Sequence, residues 1–296
     1  MKKIVIPISI ISAAIALLFV PVVQTYAASA LSIFRIQDTK TITITVSDID
    51  QIAAYMKAHQ TDLKNTDDKG TADKQSDEKQ IQPIPLNSIN DFKAFKVSLP
   101  KALSGEKPTI EMIDTQSKNI TVDVSKINVQ LEAAGVQDRL DGKFDGQQLT
   151  VSTPPAVHIS YANINLNATM MPYLGGPEDL KQSIWDIVKV FPAVPDDIKS
   201  QLANIDINQH DAYIPVVEGV CREVDLGGTT GYLYSSSDMA TLTQSFADVM
   251  PSAAPEKADA AQENTTVLIW TKDGIIYALS GALSDSGLAN IARSIY

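Results

Sequence analysis

Histidine is the residue type most often used for acid–base chemistry, and this chain has three: His59, His158 and His210. They are far apart, and no two have the spacing of a metal-binding pair. Only His210, which Asp211 follows, has a carboxylate beside it, so a hydrolase with dispersed aspartate, serine and His210 residues stays open. The surrounding patterns predict that His59 ends a helix, where a cation suits the helix dipole, and that His158 lies on a strand.

Sequence motifs for catalysis and for nucleotide or metal binding are absent. The HExxH, GxSxG and phosphate-loop patterns do not occur, and the glycines at 227, 228 and 231 lack the strand-then-helix context of a dinucleotide site. Asp138, Asp141 and Asp145 could supply oxygen ligands to calcium, but their spacing is not that of an EF-hand loop and favours a solvated turn. We therefore predict no catalytic, cofactor-binding or metal-binding residues and no cofactor.

Cysteine and tryptophan are predicted to serve the core. Cys221 is the only cysteine, so it forms no intramolecular disulfide, and its apolar neighbours favour a small buried side chain. Trp185, Trp270 and Tyr277 fall at core positions of predicted elements. Asn119, Asn167 and Asn264 each begin an N-x-T sequence, which we interpret as chance.

The N-terminus has the pattern of an export signal. Lys2 and Lys3 precede an apolar run over residues 4–23, and Ala28-Ser29-Ala30 follows as a small-residue cleavage pattern. The run also reaches the length of about 20 residues that spans a bilayer, so residues 1–30 are either a signal peptide or a membrane anchor. In both cases the remaining chain is expected to be extracytoplasmic, either secreted or anchored by the N-terminal helix.

The charge balance disfavours two classes of partner. The chain has 24 Lys and Arg against 35 Asp and Glu, for a formal net charge of −11. Nucleic acid and anionic lipid headgroups repel such a surface. A membrane protein partner or a lipid ligand stays possible, and the oligomeric state is not predicted.

Residues 31–59 are predicted to form a strand followed by a helix. Thr41 to Val46 alternate threonine with aliphatic residues, as in a half-buried strand. Ser47 can cap the helix that follows, in which apolar residues recur at helical spacing. Residues 60–82 carry mixed charges and almost nothing apolar, which predicts a flexible charged loop.

Residues 83–296 are predicted to form the main domain, of class α+β. Strands are expected at 92–99, 109–113, 119–124, 148–152, 157–161, 213–217, 220–226 and 231–234, and helices at 125–134, 180–191 and 196–203. Residues 238–263 read as a long loop. Residues 267–279 form the clearest local pattern, an apolar hairpin turning at Asp273-Gly274, and a helix capped by Ser284 follows. Because both hairpin strands are apolar on both faces, they should lie centrally under at least one helix.

Three C-terminal segments resemble an uncharacterised domain found at the C-terminus of exported Bacillota proteins, including anti-sigma factor ectodomains. They comprise Val220, Val224, Leu226-Gly227 and Gly231-Tyr232-Leu233; then Leu268-Ile269-Trp270, Lys272-Asp273-Gly274-Ile275, Tyr277, Leu279 and Gly281; then Leu288, Ile291-Ala292 and Ser294-Ile295. Residues 31–36, Phe191-Pro192 with Pro195, 201–206, Gln209-His210 and Ile214-Pro215 resemble full-length members. The strand–hairpin–helix ending is more distantly similar to the lipoprotein-carrier and sigma-regulator fold.

The resemblance implies a curved antiparallel sheet with helices packed on it, behind the N-terminal hydrophobic segment. It supplies no catalytic residues, and the chain lacks a cytoplasmic zinc-binding anti-sigma segment. The leading hypothesis is therefore a non-enzymatic binding or sensing module at the cell envelope. The alternatives are a carrier of a lipid or acylated peptide, and the hydrolase described above.

Overall fold

The computed structural model describes residues 39–67, 82–170, 172–205, 212–235, 237–238 and 265–295. The strands of this part are β1 (Thr39–Ile44), β2 (Ile84–Leu86), β3 (Thr109–Ile113), β4 (Gln116–Thr121), β5 (Gln148–Thr153), β6 (Ala156–Ser160), β7 (Ile164–Met170), β8 (Tyr173–Gly175), β9 (Ala212–Val217), β10 (Arg222–Asp225), β11 (Thr230–Ser235), β12 (Thr266–Lys272) and β13 (Ile275–Gly281). The helices are α1 (Val46–Asp67), α2 (Val124–Ala133), α3 (Glu178–Val190), α4 (Asp196–Ala203) and α5 (Asp285–Arg293).

The described strands form three sheets. The largest has eight strands in the order β10-β11-β12-β13-β7-β6-β3-β2, with every neighbouring pair antiparallel. A three-stranded antiparallel sheet has the order β4-β5-β8, and β1 pairs with β9 in parallel. Neither of the larger sheets closes on itself. The predicted α+β class with an antiparallel sheet is thus confirmed.

The three-stranded sheet continues three strands of the eight-stranded sheet. The order β7-β6-β3 in the large sheet matches β8-β5-β4 in the small one, and two residues separate the members of each pair. Pro154-Pro155 and Pro172 lie at two of these breaks, and Asp114-Thr115 forms the third. Proline has no N–H to donate, so the ladder is interrupted at the same level on adjacent strands.

The small sheet, β1 and helices α1 to α4 enclose the first core. Its largest fully buried side chains include Trp185, Phe144, Phe191 and Leu149. Helix α3 begins after Pro177 with Glu178 and Asp179 in its first turn, where acidic groups suit the dipole. Its apolar stripe, with Leu180 and Val188, faces this core, as the sequence pattern predicted.

The eight-stranded sheet and helix α5 enclose the second core. Trp270 and Tyr277 are paired across β12 and β13, and their rings stack with centroids 5.1 Å apart. Helix α5 packs on these strands, and Arg222 of β10 pairs with Asp285 at the start of α5 at 3.0 Å. The predicted central hairpin, helix cover and Ser284 cap are confirmed, the last by Gly287 donating to the Ser284 hydroxyl.

Two predicted helix caps are wrong by two residues. Helix α1 is capped by Thr45 and not by Ser47, because the Thr45 hydroxyl accepts from the Asp48 N–H while the Asp48 carboxylate accepts from Thr45. In α2, Asp123 takes the cap role predicted for Ser125 and accepts from the Lys126 N–H. The predicted end of α2 at Gly135 is confirmed by its positive φ of 68°.

Three segments differ from the predicted elements. Residues 92–99 are irregular and not a strand, because their apolar residues cover one side of the second core. The fourth strand begins at Gln116 and ends at Thr121, earlier than predicted. Helix α1 continues to Asp67, so residues 60–67 are helical and not loop, whereas most of the predicted charged loop lies outside the described residues.

The N-terminal apolar run also lies outside the described residues. Within the described ranges, no helix is both long enough and apolar enough to cross a bilayer.

Candidate functional site

The eight-stranded sheet has one face on the second core and another that we call the outer face. Along β6 and β7, core-facing residues such as Val157 and Leu166 are fully buried, and their neighbours are half-exposed. The alternation follows from the two-residue period of a strand. The cross-strand register therefore defines which side chains share the outer face.

The outer face is divided into a polar strip and an apolar strip. The polar strip comprises Glu111 of β3, His158 and Ser160 of β6, and Asn165, Asn167 and Thr169 of β7. The apolar strip comprises Tyr232 and Tyr234 of β11 and Val267 and Ile269 of β12. Ile276, Ala278 and Ser280 of β13 lie between the strips, and Ser280 is buried.

Three side chains of the polar strip form a continuous hydrogen-bonded row. His158 is directly opposite Asn167 in the register, and its Nδ1 lies 2.6 Å from the Asn167 Oδ1. Its Nε2 lies 2.7 Å from the Oγ of Ser160, two residues further along the same strand. Residues two apart on a strand point to the same face, which explains why β6 can present both groups together.

The Asn167 carbonyl fixes the protonation pattern of the neutral imidazole. A carbonyl oxygen only accepts, so the Nδ1 of His158 must carry the proton. Nε2 is then the acceptor, and the Ser160 hydroxyl donates to it. The row therefore has the order hydroxyl, basic nitrogen, protonated nitrogen and amide oxygen.

Two further donors lie directly opposite Ser160 in the register, the Asn165 amide on β7 and the Thr109 hydroxyl on β3. Asn165 is directly opposite Ser160, at a position where Cβ atoms are about 4.5–5.5 Å apart. Among the described residues, no side-chain hydrogen bond is found for it. Glu111 lies on the other side of the row, opposite His158 across β3 and β6.

The only cysteine of the sequence packs against the apolar strip. Cys221 is half-buried beside Tyr234, and burial raises the pKa of its thiol. Burial, and then the neighbouring Cys221, raise the pKa of Tyr234 well above its ordinary value of 10.0. Both groups are thus held in the neutral form, which suits an apolar surface.

The structure places two of the three histidines that were weighed from the sequence. His59 falls within helix α1, His158 lies on β6 as predicted, and His210 is outside the described residues. Asp141 and Asp145 accept from the N–H groups of Lys143 and Val124 and so organise a turn. Within the described ranges, no group of three or more possible metal ligands is found.

A depression of about 550 Å³ is built by groups that already serve the fold. It lies along α2 and the following loop. The amide of Asn128 donates to and accepts from the backbone of Leu140, and Arg139 pairs with Glu132 at 3.6 Å. These contacts explain its polar lining without a ligand.

Ser160, Asn165 and Asn167 were missed in the sequence. Their relation to His158 depends on β7, which was not predicted, although Ile164, Leu166 and Ala168 alternate with polar residues as in a half-buried strand. Recognising that alternation beside β6 would have suggested a hairpin with both asparagines facing the histidine.

Comparisons of the chain with models of protein families, with curated proteins and with solved structures give no match.

Proposed function

We propose that this chain is an extracytoplasmic binding or sensing module of the cell envelope, which holds its ligand on the outer face. The observation that carries the proposal is the half-exposed, hydrogen-bonding strip on β6 and β7, where His158, Ser160 and Asn167 form a continuous row. A ligand that lies along this strip would meet its donors and acceptors, whereas Tyr232, Tyr234 and Ile269 of the apolar strip are 8%, 2% and 4% exposed and are already covered.

The polar strip carries one carboxylate, Glu111, and no Lys or Arg, which favours a neutral or cationic ligand over an anion. The apolar strip lacks Lys and Arg as well, and the net charge of the chain is −11, so anions are disfavoured. Side-chain amides, a hydroxyl and an imidazole instead match hydroxyl and amide groups.

A lipid or acylated peptide carrier is the second candidate. Its support is the resemblance to the lipoprotein-carrier fold and the polar strip, which offers partners for a peptide or headgroup. The apolar strip is packed against Val216, so an acyl chain would have to displace that packing to lie there. The carrier hypothesis also uses two expectations: the curved sheet that the resemblance implies, and the membrane-tethered or secreted location that the N-terminal pattern implies. It predicts that the bound molecule is released by organic solvent.

The test is native mass spectrometry of the full chain after expression in a host that exports it. We expect a bound mass that denaturing conditions release, and its chemical class distinguishes the carrier from a module for a polar ligand. A clean unliganded mass would contradict the carrier, and crosslinking for a membrane protein partner would then test the sensing role.

Substitution at the centre of the outer face locates the bound mass. Ala278→Arg places a long side chain between the two strips and should abolish the bound mass. Ala102→Arg makes the same change at an exposed position beside α5 and should retain it. A folded Ala278→Arg variant that keeps the full bound mass would place the site elsewhere.

A further inference from the structure

The row of Ser160, His158 and Asn167 has the connections of a nucleophile, its base and the group that orients the base. The Ser160 hydroxyl donates to Nε2 of His158 at 2.7 Å, within the range expected for a nucleophile and its general base. The Nδ1 of His158 is held at 2.6 Å by the Asn167 carbonyl. That contact selects the tautomer in which Nε2 can take a proton.

The three side chains of the row are accessible to solvent, and further hydrogen-bond donors lie beside them. Ser160, His158 and Asn167 are half-exposed, so a reagent can reach them without unfolding the sheet. The Asn165 amide, opposite Ser160, can donate to an oxygen that becomes negative when the hydroxyl attacks a carbonyl. In the register Asn165 is followed by Ser280 of β13, which is 4% exposed, so a reagent reaches the hydroxyl from the half-exposed side of β6 and β7.

We propose that Ser160 is an activated nucleophile that accepts acyl groups from carboxylic esters bound on the outer face. Oγ forms a bond to the ester carbonyl carbon while His158 Nε2 takes the hydroxyl proton. The ester C–O bond then breaks, and His158 returns that proton to the departing alcohol. Water attacks the acyl-serine with His158 again as base, which releases the carboxylic acid and restores Ser160.

The residues have separate roles in this reaction. Ser160 and His158 are catalytic residues, and Asn165 contacts the developing oxyanion. Asn167 is a positioning residue that acts through His158. Because the two tyrosines and Ile269 of the apolar strip are buried, this strip offers little open apolar surface to a long acyl chain. Small carboxylic esters are therefore the expected substrate class.

A fluorophosphonate probe tests the nucleophile directly on the full chain. The Ser160 oxygen displaces fluoride from phosphorus, and peptide mass spectrometry locates the adduct. We expect a single adduct at Ser160, lost in Ser160→Ala. His158→Gln keeps a polar side chain but removes the base, and should slow labelling by about 10²-fold or more. Asn165→Ala should slow labelling by a similar factor of about 10².

Two further variants separate chemistry from structure. Asn167→Asp keeps an oxygen that accepts from Nδ1–H of His158, so labelling of Ser160 should be retained, with a changed dependence of the labelling rate on pH. Asn167→Ala removes that oxygen and should lose most of the labelling. Ser117→Ala is the matched control, because Ser117 bonds the Ser152 hydroxyl at 2.9 Å with no imidazole in that contact. It should label like the unmodified chain.

The proposal is overturned if folded chain gives no adduct at Ser160, or if His158→Gln labels at an unchanged rate. Hydrolysis of 4-nitrophenyl butyrate, lost in Ser160→Ala, is the expected turnover result. The probe needs no natural ligand, so the two experiments are independent. Failure of labelling would overturn the reactive serine without contradicting the binding module. A clean unliganded mass would contradict the carrier without changing the labelling result. Turnover would contradict the prediction that the module is non-enzymatic.

Discussion

Two polar groups at the apolar strip, Tyr234 and the adjacent Cys221, make the free energy of unfolding depend on pH in the alkaline range. Tyr234 is 2% exposed, and its hydroxyl lies against the half-buried Cys221 thiol. Burial raises the pKa of both groups above their ordinary values of 10.0 and 9.0. The folded chain therefore keeps protons that the unfolded chain loses at those values.

We predict that the free energy of unfolding falls as pH rises from about 8 to about 11. A group with a raised folded pKa contributes its stability below the unfolded pKa, and that stability is lost as pH rises towards the folded pKa. Tyr234→Phe removes one such group, so its unfolding free energy should fall less steeply. Urea unfolding at several pH values measures both slopes.

Tyr173→Phe is the matched control for this experiment. Tyr173 is 49% exposed on β8, and its replacement should leave the slope of the parent chain. Equal slopes for Tyr234→Phe and the parent chain would show that Tyr234 ionises as easily in the folded state as in the unfolded state.

At the scale of elements, the β12–β13 hairpin depends on two residues with positive φ. Asp273 has φ 51° and Gly274 has φ 77°, in a two-residue turn that Lys272 and Ile275 close. This is the geometry of a type I′ turn, whose twist matches that of the flanking strands. Aspartate tolerates the left-handed region, and glycine occupies it without steric cost.

We predict that Gly274→Ala lowers the free energy of unfolding by about 1–2 kcal/mol, because the added Cβ is strained at this φ. Gly105→Ala is the control, since a Cβ there would meet nothing within 4 Å. It should be neutral, or stabilising by less than about 1 kcal/mol. Denaturant unfolding compares the two, and equal effects would contradict the turn assignment.

The same hairpin shows which elements a sequence alone can predict. Asp-Gly turn chemistry, apolar periodicity and a Ser cap are local signals, and they placed β12, β13 and α5 correctly. The apolar stripe of α3 is local in the same way. Residues 92–99 misled the prediction because irregular chain can also bury apolar side chains when tertiary packing requires it.

The candidate site depends on non-local information. His158 and Asn167 are brought together by the register of β6 and β7, and a shift by one residue would turn Asn167 to the core. The pattern of Asn167 in an N-x-T sequence says nothing about that register. Sequence reasoning thus placed His158 on its strand and missed the partners that make it a candidate base.

At the scale of the molecule, two cores are connected by strands that run from one sheet into the other. The pairs β3 and β4, β5 and β6, and β7 and β8 each cross between the sheets over two residues. Strand β9 links the first core to the apolar strip, because Val216 packs against the strip while Val217 packs in the first core. Neither core is built from one continuous stretch of chain.

The two tryptophans allow each core to be followed separately. Trp185 is 1% exposed in the first core, and Trp270 is fully buried in the second. Trp270→Phe leaves fluorescence that reports on the first core, and Trp185→Phe leaves fluorescence that reports on the second. Because the connecting strands cannot keep their pairing in one sheet while the other is lost, we predict one cooperative transition.

The expected result is that, within each variant, the fluorescence midpoint in urea coincides with the midpoint measured by far-ultraviolet circular dichroism. The comparison is made within a variant because each substitution removes a buried side chain and lowers stability by its own amount. Two separated transitions would contradict the connection. They would show that the interrupted ladder at Pro154-Pro155 and Pro172 acts as a boundary across which one core unfolds while the other persists.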